Sequence, residues 1–128
     1  MNYSSIARQY FELAPQVGVL EGSGTYRGVA GSRALGTWVQ FDVRVQQASA
    51  VVLEARFLAY GCPYVIAVAA WIAERAPGLK AGGGLPESVV ALQQRFGVPV
   101  EKLGRLLTIE DAWNHAIKMW HGSMRSRP

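Results

Sequence analysis

Between Gly36 and Gln47, Val39, Phe41, Val43 and Val45 alternate with Gln40, Asp42, Arg44 and Gln46. No feature of the chain constrains its fold more. A period of two puts successive side chains on opposite faces of an extended strand, so this segment has one apolar and one polar face. The pattern resumes after Ala48-Ser49, which is short enough for a tight turn. From Ala50 to Tyr60, the spacing puts Val51, Leu53, Ala55, Phe57 and Ala59 on one face and Glu54 and Arg56 on the other. Two such runs joined by a turn predict an antiparallel hairpin with one buried face and one solvated face. Tyr26 to Ala30 can supply a third strand, which its glycine weakens.

A helical period replaces the alternation after Tyr60. Pro63 suits a first helical position, where its missing N–H has no partner to lose. Tyr64 to Ala76 is apolar almost to its end, as a buried helix should be, and Pro77-Gly78 stops it. Lys80 to Leu85, with three consecutive glycines, reads as a flexible loop. A helix is expected over Pro86 to Phe96, carrying Val89, Val90, Leu92 and Phe96. A longer one is expected from Val100 to Trp120, striped by Leu103, Leu106, Ile109, Trp113, Ile117 and Trp120. Ahead of the strands, Ile6, Tyr10 and Leu13 give a short helix over Ser4 to Leu13. A serine caps its start and Pro15 closes it. Strands grouped before helices imply an α+β fold, a three-stranded antiparallel sheet with helices packed on one face. With 128 residues, half of them apolar, the chain can build its own core. It is expected to form one domain over 1–128, ending in a basic solvated tail from about 122 to 128, where Arg125 and Arg127 lie.

Several partners and compartments are disfavoured. The net charge is +4, but the basic residues are scattered rather than gathered in a stripe, so no nucleic-acid partner is expected. The most apolar run, Val65 to Ala73, is half the roughly 20 residues that a bilayer span needs. The N-terminus lacks the apolar block of a signal peptide, and a lone cysteine suits a reducing compartment, so a cytoplasmic location is expected.

That cysteine, Cys62, is the sharpest chemical feature. It sits in Tyr60-Gly61-Cys62-Pro63, between a predicted strand and a predicted helix. The helix dipole and unpaired N–H groups there stabilise a thiolate, the form that binds metal or attacks sulfur. A free cysteine is as often just a small buried residue. His115 and His121, six residues apart on one helix, point to different faces and do not make a shared metal site. The adjacent Glu110 and Asp111 cannot face each other as an acid–base pair. No nucleophile elbow or phosphate loop is present, and Gly22-x-Gly24 lacks the strand-before, helix-after context of a nucleotide site. No enzyme constellation is expected.

Ala55-Arg56-Phe57-Leu58-Ala59-Tyr60-Gly61-Cys62-Pro63, followed by Ile66-Ala67, resembles the second cysteine motif of iron–sulfur cluster assembly scaffold proteins of the IscU/NifU N-terminal type. There an aromatic-Gly-Cys turn follows a strand and opens a helix. Tyr10-Phe11 through Pro15 and Gly18-Val19-Leu20 is similar to that family's N-terminal helix and turn. Gly28 through Thr37 resembles its glycine-rich first-cysteine segment, and Val98-Pro99-Val100-Glu101-Lys102-Leu103 its chaperone-recognition motif.

The resemblance implies the same α+β fold and a role in iron–sulfur cluster assembly. It also exposes departures. Family members hold a [2Fe–2S] cluster with three cysteines, an aspartate and sometimes a histidine. Here Leu35 stands at the first cysteine, Thr37 at the aspartate, and Gly104-Arg105 at the histidine–cysteine pair. Of the expected metal ligands only Cys62 remains, and one thiolate cannot supply the roughly four ligands of a cluster. The chaperone motif, the expected partner-binding segment Val98, Pro99, Val100, Glu101 and Lys102, has Val100 and Glu101 where the family has Pro and Val. The chain is therefore expected to be a degenerate partner or regulator in cluster biogenesis. It would dock a cysteine desulfurase or another assembly factor, with sulfur accepted on Cys62. Iron or a [2Fe–2S] cluster shared between chains of a homo-oligomer is a second reading; a cysteine-dependent enzyme, the weakest because no general base stands at a defined spacing, is a third, and a protein-interaction module without metal a fourth.

Overall fold

A computed structural model describes residues 3–125. Helix α1 (Ser5–Leu13) precedes strands β1 (Thr25–Ser32), β2 (Thr37–Gln46) and β3 (Val51–Tyr60), and helices α2 (Pro63–Arg75), α3 (Val89–Phe96) and α4 (Leu103–Arg125) follow. The sheet runs β1-β2-β3, antiparallel throughout. Helix α2 packs on β3, and α4 lies across β1 and β2. The expected α+β architecture is therefore observed.

Val39, Phe41 and Val43 of β2 face the helices. Phe41 meets Trp113 of α4 edge-on, with ring centroids 5.2 Å apart. Along α4 the buried stripe is Leu106, Ile109, Ala112, Trp113, Ala116 and Trp120. Gly28 allows this packing. A Cβ there would stand 2.1 Å from the Ala116 amide nitrogen and 2.4 Å from the Ala112 carbonyl oxygen. The glycine that weakens the sequence signal for β1 is thus what lets α4 lie against that strand.

β3 differs from its expected phase. Arg44 pairs with Glu54, but Val45 pairs with Val52, so Leu53 is an extra residue in a β-bulge. A one-residue shift exchanges faces. Ala55 and Phe57 point inward as expected, whereas on the far side of the bulge Val52 is buried and Leu53 is 50% exposed.

The outer face of β2 also departs from expectation. Gln40 and Asp42 are buried, because the segment after α1 folds across the sheet. It pairs with β3 first: the Phe57 N–H donates to the Gln16 carbonyl (3.0 Å) and the Gly18 N–H to the Phe57 carbonyl (2.8 Å). The Leu20 N–H then donates to Asp42 Oδ2 at 2.9 Å. From the other side Arg27 forks onto the same carboxylate, Nε to Oδ1 at 2.8 Å and a terminal nitrogen to Oδ2 at 3.0 Å. Period two marks which residues share a face, but a distant segment decides whether that face is wet.

Helix boundaries shift at three places. α3 begins at Val89, not Pro86, because the Ser88 hydroxyl caps it by accepting from the Ala91 N–H at 3.1 Å; Val90 faces solvent. The segment expected to open the last helix forms a 3-10 turn over Val100–Lys102, and α4 proper starts at Leu103. α4 also runs past Trp120 to Arg125, so residues 122–125 continue a helix that the basic tail was expected to replace. Arg127 lies outside the described residues. The Lys80–Leu85 loop is partly docked: the Ala81 N–H donates to the Ala50 carbonyl (2.8 Å), and Ala81 is buried.

Candidate functional site

Where β3 ends, the chain turns through Gly61, and Cys62 becomes the residue that caps α2. Its backbone is extended (φ −71°, ψ 166°), Pro63 is the first helical residue, and the Cys62 carbonyl accepts the Val65 N–H at 3.0 Å. The thiol is half-buried. Burial pushes its pKa up, but the N–H of Val65, the side chain of Arg105 and the N–H of Tyr64 favour the thiolate and together hold the pKa below the ordinary thiol value. A helix N-terminus beside a guanidinium is the setting in which thiolates form.

Arg105 comes from the first turn of α4, which brings it to Cys62 across the end of the sheet. It also lines a cleft of about 210 Å³ together with Glu101 from the 3-10 turn, Gly104 and Thr108 from the start of α4, and Leu35 and Thr37 from the β1–β2 hairpin. The residues that the sequence resemblance sets at the family's missing ligands, Leu35, Thr37, Gly104 and Arg105, thus line one cleft, and the Arg105 wall is the one that favours the Cys62 thiolate. Glu101, expected only as a partner contact, belongs to it too. Thr108 escaped the sequence reading, although it follows Gly104 by four residues and therefore lies one helical turn above it.

The donors at this cleft do not fit a cluster. Leu35 is a hydrocarbon, 79% exposed. Thr37 is a neutral hydroxyl, Gly104 has no side chain, and Arg105 is a cation. Among the described residues, no group of three or more His, Cys, Asp or Glu side chains is arranged to hold a metal ion. A cluster needs thiolate or other anionic donors in numbers that this cleft does not hold.

The histidines do not join the site. His115 Nδ1 accepts the Val29 N–H at 2.9 Å, sealing the outer edge of β1 against α4. His121 lies beside Trp120, with ring centroids 6.1 Å apart. In the segment expected to bind a partner, Val98 is part of the core, Pro99 is half-buried and Val100 is 74% exposed. Glu101 is exposed at the cleft, and the Lys102 ammonium lies 5.4 Å from the centre of the Tyr64 ring. None of the described helices is long and apolar enough to cross a membrane.

Comparison with solved structures gives the same fold. One match is a proposed iron–sulfur cluster assembly scaffold protein for the SUF system from the thermophile Fervidobacterium islandicum AW-1. It has a TM-score of 0.70 and 15% identity, over 90% of this chain and 96% of that one. Another is the N-terminal part of a nitrogen-fixing NifU-like protein from Brucella abortus, with a TM-score of 0.70 and 13% identity over 97% and 95% of the two chains. At these identities the likeness is one of fold. No curated protein matches the sequence. The NifU-like N terminal domain model, however, matches residues 2–126, and the chain belongs to that family of iron–sulfur cluster assembly scaffold domains.

Proposed function

We propose that this chain acts in iron–sulfur cluster assembly as a degenerate partner or regulator, not as a full scaffold that builds the cluster on itself. The supporting observation is the cleft: its walls carry the residues that the resemblance sets at the family's ligand positions, yet the one thiol beside it, Cys62, has the Arg105 cation as its neighbour instead of a second anionic ligand. Family membership supports the process. The cluster would be cargo carried by other proteins, and no step on this chain is derived through it. No catalytic role is assigned to any residue.

The proposed partner is a cysteine desulfurase or another assembly factor, and Cys62 is the proposed sulfur acceptor, the role left to it once metal ligation is lost. Docking would use the end of the molecule that carries Cys62 and the Val98–Lys102 segment. Val100 and Glu101 supply the exposed contacts there, while Val98, Pro99 and Lys102 hold the turn in place. A cytoplasmic setting suits this role. The second reading, a protein-interaction module without sulfur chemistry, differs only in what Cys62 does.

The test is anaerobic incubation with iron, cysteine and a desulfurase. Visible absorption, protein-bound iron and sulfide, and desulfurase turnover are followed for the native chain and for Cys62→Ser. The expected result is no stable cluster and a change in turnover that depends on Cys62. A stable cluster on the purified chain would refute the degenerate reading. A turnover effect that survives Cys62→Ser would favour the interaction module, and no effect on any assembly factor would overturn both.

A further inference from the structure

The cleft beside Cys62 also has an arrangement that cluster chemistry does not explain. Glu101, in the 3-10 turn, and Arg105, in the first turn of α4, carry opposite charges. Both line the cleft, yet no ion pair joins them among the described residues, and Glu101 has no ion-pair partner there at all. Arg105 carries five N–H donors, more than its contact with the Cys62 thiol can use. The cavity is therefore dipolar, negative on one wall and positive on another.

The hydroxyls point the same way. Thr37 is only 6% exposed and lines the cleft, and its hydroxyl can both donate and accept. Thr108 Oγ1 donates to the Gly104 carbonyl at 3.2 Å, which leaves its lone pairs free to accept.

We propose that this cleft binds a free α-amino acid as its zwitterion, with the carboxylate on Arg105 and the ammonium on Glu101. Thr37 and Thr108 supply the remaining hydrogen bonds, and the exposed Leu35 covers the ligand's side chain. A bare anion such as phosphate satisfies Arg105 but meets the Glu101 carboxylate. A metal ion satisfies Glu101 but meets the guanidinium. Only a ligand with both charges close together complements both walls. The volume, about 210 Å³, lies below the roughly 300–1,000 Å³ of pockets for drug-sized ligands and sets the scale at a small metabolite. This inference is independent of the desulfurase reading, and its failure would leave that assay unchanged.

The experiment is a titration of the uniformly ¹⁵N-labelled full chain, followed by amide chemical shifts. The probes are L-alanine, N-acetyl-L-alanine (no ammonium) and L-alaninamide (no carboxylate). L-Alanine is expected to give saturable shifts centred on Thr37, Gly104, Arg105 and Thr108, with both derivatives at least tenfold weaker. Arg105→Gln and Glu101→Gln are each expected to weaken L-alanine at least tenfold. Neither side chain is in the core, and dispersed amide spectra will confirm that both variants fold. Equal binding of N-acetyl-L-alanine and L-alanine would show a simple anion site and overturn the proposal. So would the absence of saturable shifts at the cleft with L-alanine.

Discussion

Asp42→Ala tests how the segment after α1 is held. The native carboxylate has no accessible surface and accepts three hydrogen bonds, one from the Leu20 N–H and two from Arg27. Removing it strands the Leu20 amide in a buried place, a loss of about 1–3 kcal/mol for an unsatisfied buried donor. Arg27 contributes less, because its side chain is 52% exposed and its guanidinium can return to water, so its share is discounted to roughly 0–1 kcal/mol. The expected loss is about 2–3 kcal/mol, which for a chain of this length lowers Tm by roughly 10 °C. Arg27→Met should be at least as damaging, because it leaves a fully buried carboxylate without its cation, the more expensive half of a pair to strand. Asp42→Asn keeps an acceptor for Leu20 and should fall between native and Asp42→Ala. Urea denaturation and thermal melts by circular dichroism read all three, and the double variant gives the coupling. A Tm for Asp42→Ala within a degree or two of native would refute the claim that this carboxylate pins the segment.

Three further outcomes are expected. Gly28→Ala places a methyl group against the backbone of α4, where no side chain can yield, and should destabilise by about 3 kcal/mol or more, read as a lower urea midpoint. On either side of the bulge, Leu53→Lys should leave Tm nearly unchanged while Val52→Lys abolishes cooperative unfolding; the reverse order would restore the unbroken alternation. Cys62 should be alkylated by iodoacetamide with a pH midpoint below that of a free cysteine, and Arg105→Gln should raise that midpoint, since the guanidinium favours the thiolate. For that thiol the folded pKa is the lower one. Its contribution to stability is therefore complete above the unfolded thiol pKa and lost as the pH falls through the folded value.

Much of this protein follows from local pattern. The alternation from Val39 to Val45 fixes a strand with Val39, Phe41 and Val43 inward, and the stripe from Leu106 through Trp113 to Trp120 fixes the inner face of α4. Cys62-Pro63 marks the strand-to-helix turn for the same reason, because proline at a first helical position and the thiol before it are neighbours in sequence. Each of these needs only side chains a few residues apart. Long-range contacts decided the rest. The pairing between β2 and β3 inserts Leu53 as a bulge, which no property of residues 51–60 read alone requires. Asp42 looks like a solvated strand residue until Leu20 and Arg27, 22 and 15 residues away, close over it. The cleft is the same kind of feature. Leu35 and Thr37 lie nearly seventy positions before Gly104 and Arg105, and only the packing of α4 against β1, permitted by the absence of a side chain at Gly28, sets them side by side. The sequence alone carried the resemblance that sets Leu35, Thr37, Gly104 and Arg105 at the family's ligand positions. Tertiary structure decided that they meet, that Arg105 turns to the Cys62 thiol, and that Glu101 is left facing the cavity, because charge and hydrogen-bond satisfaction depend on neighbours that chain order does not specify.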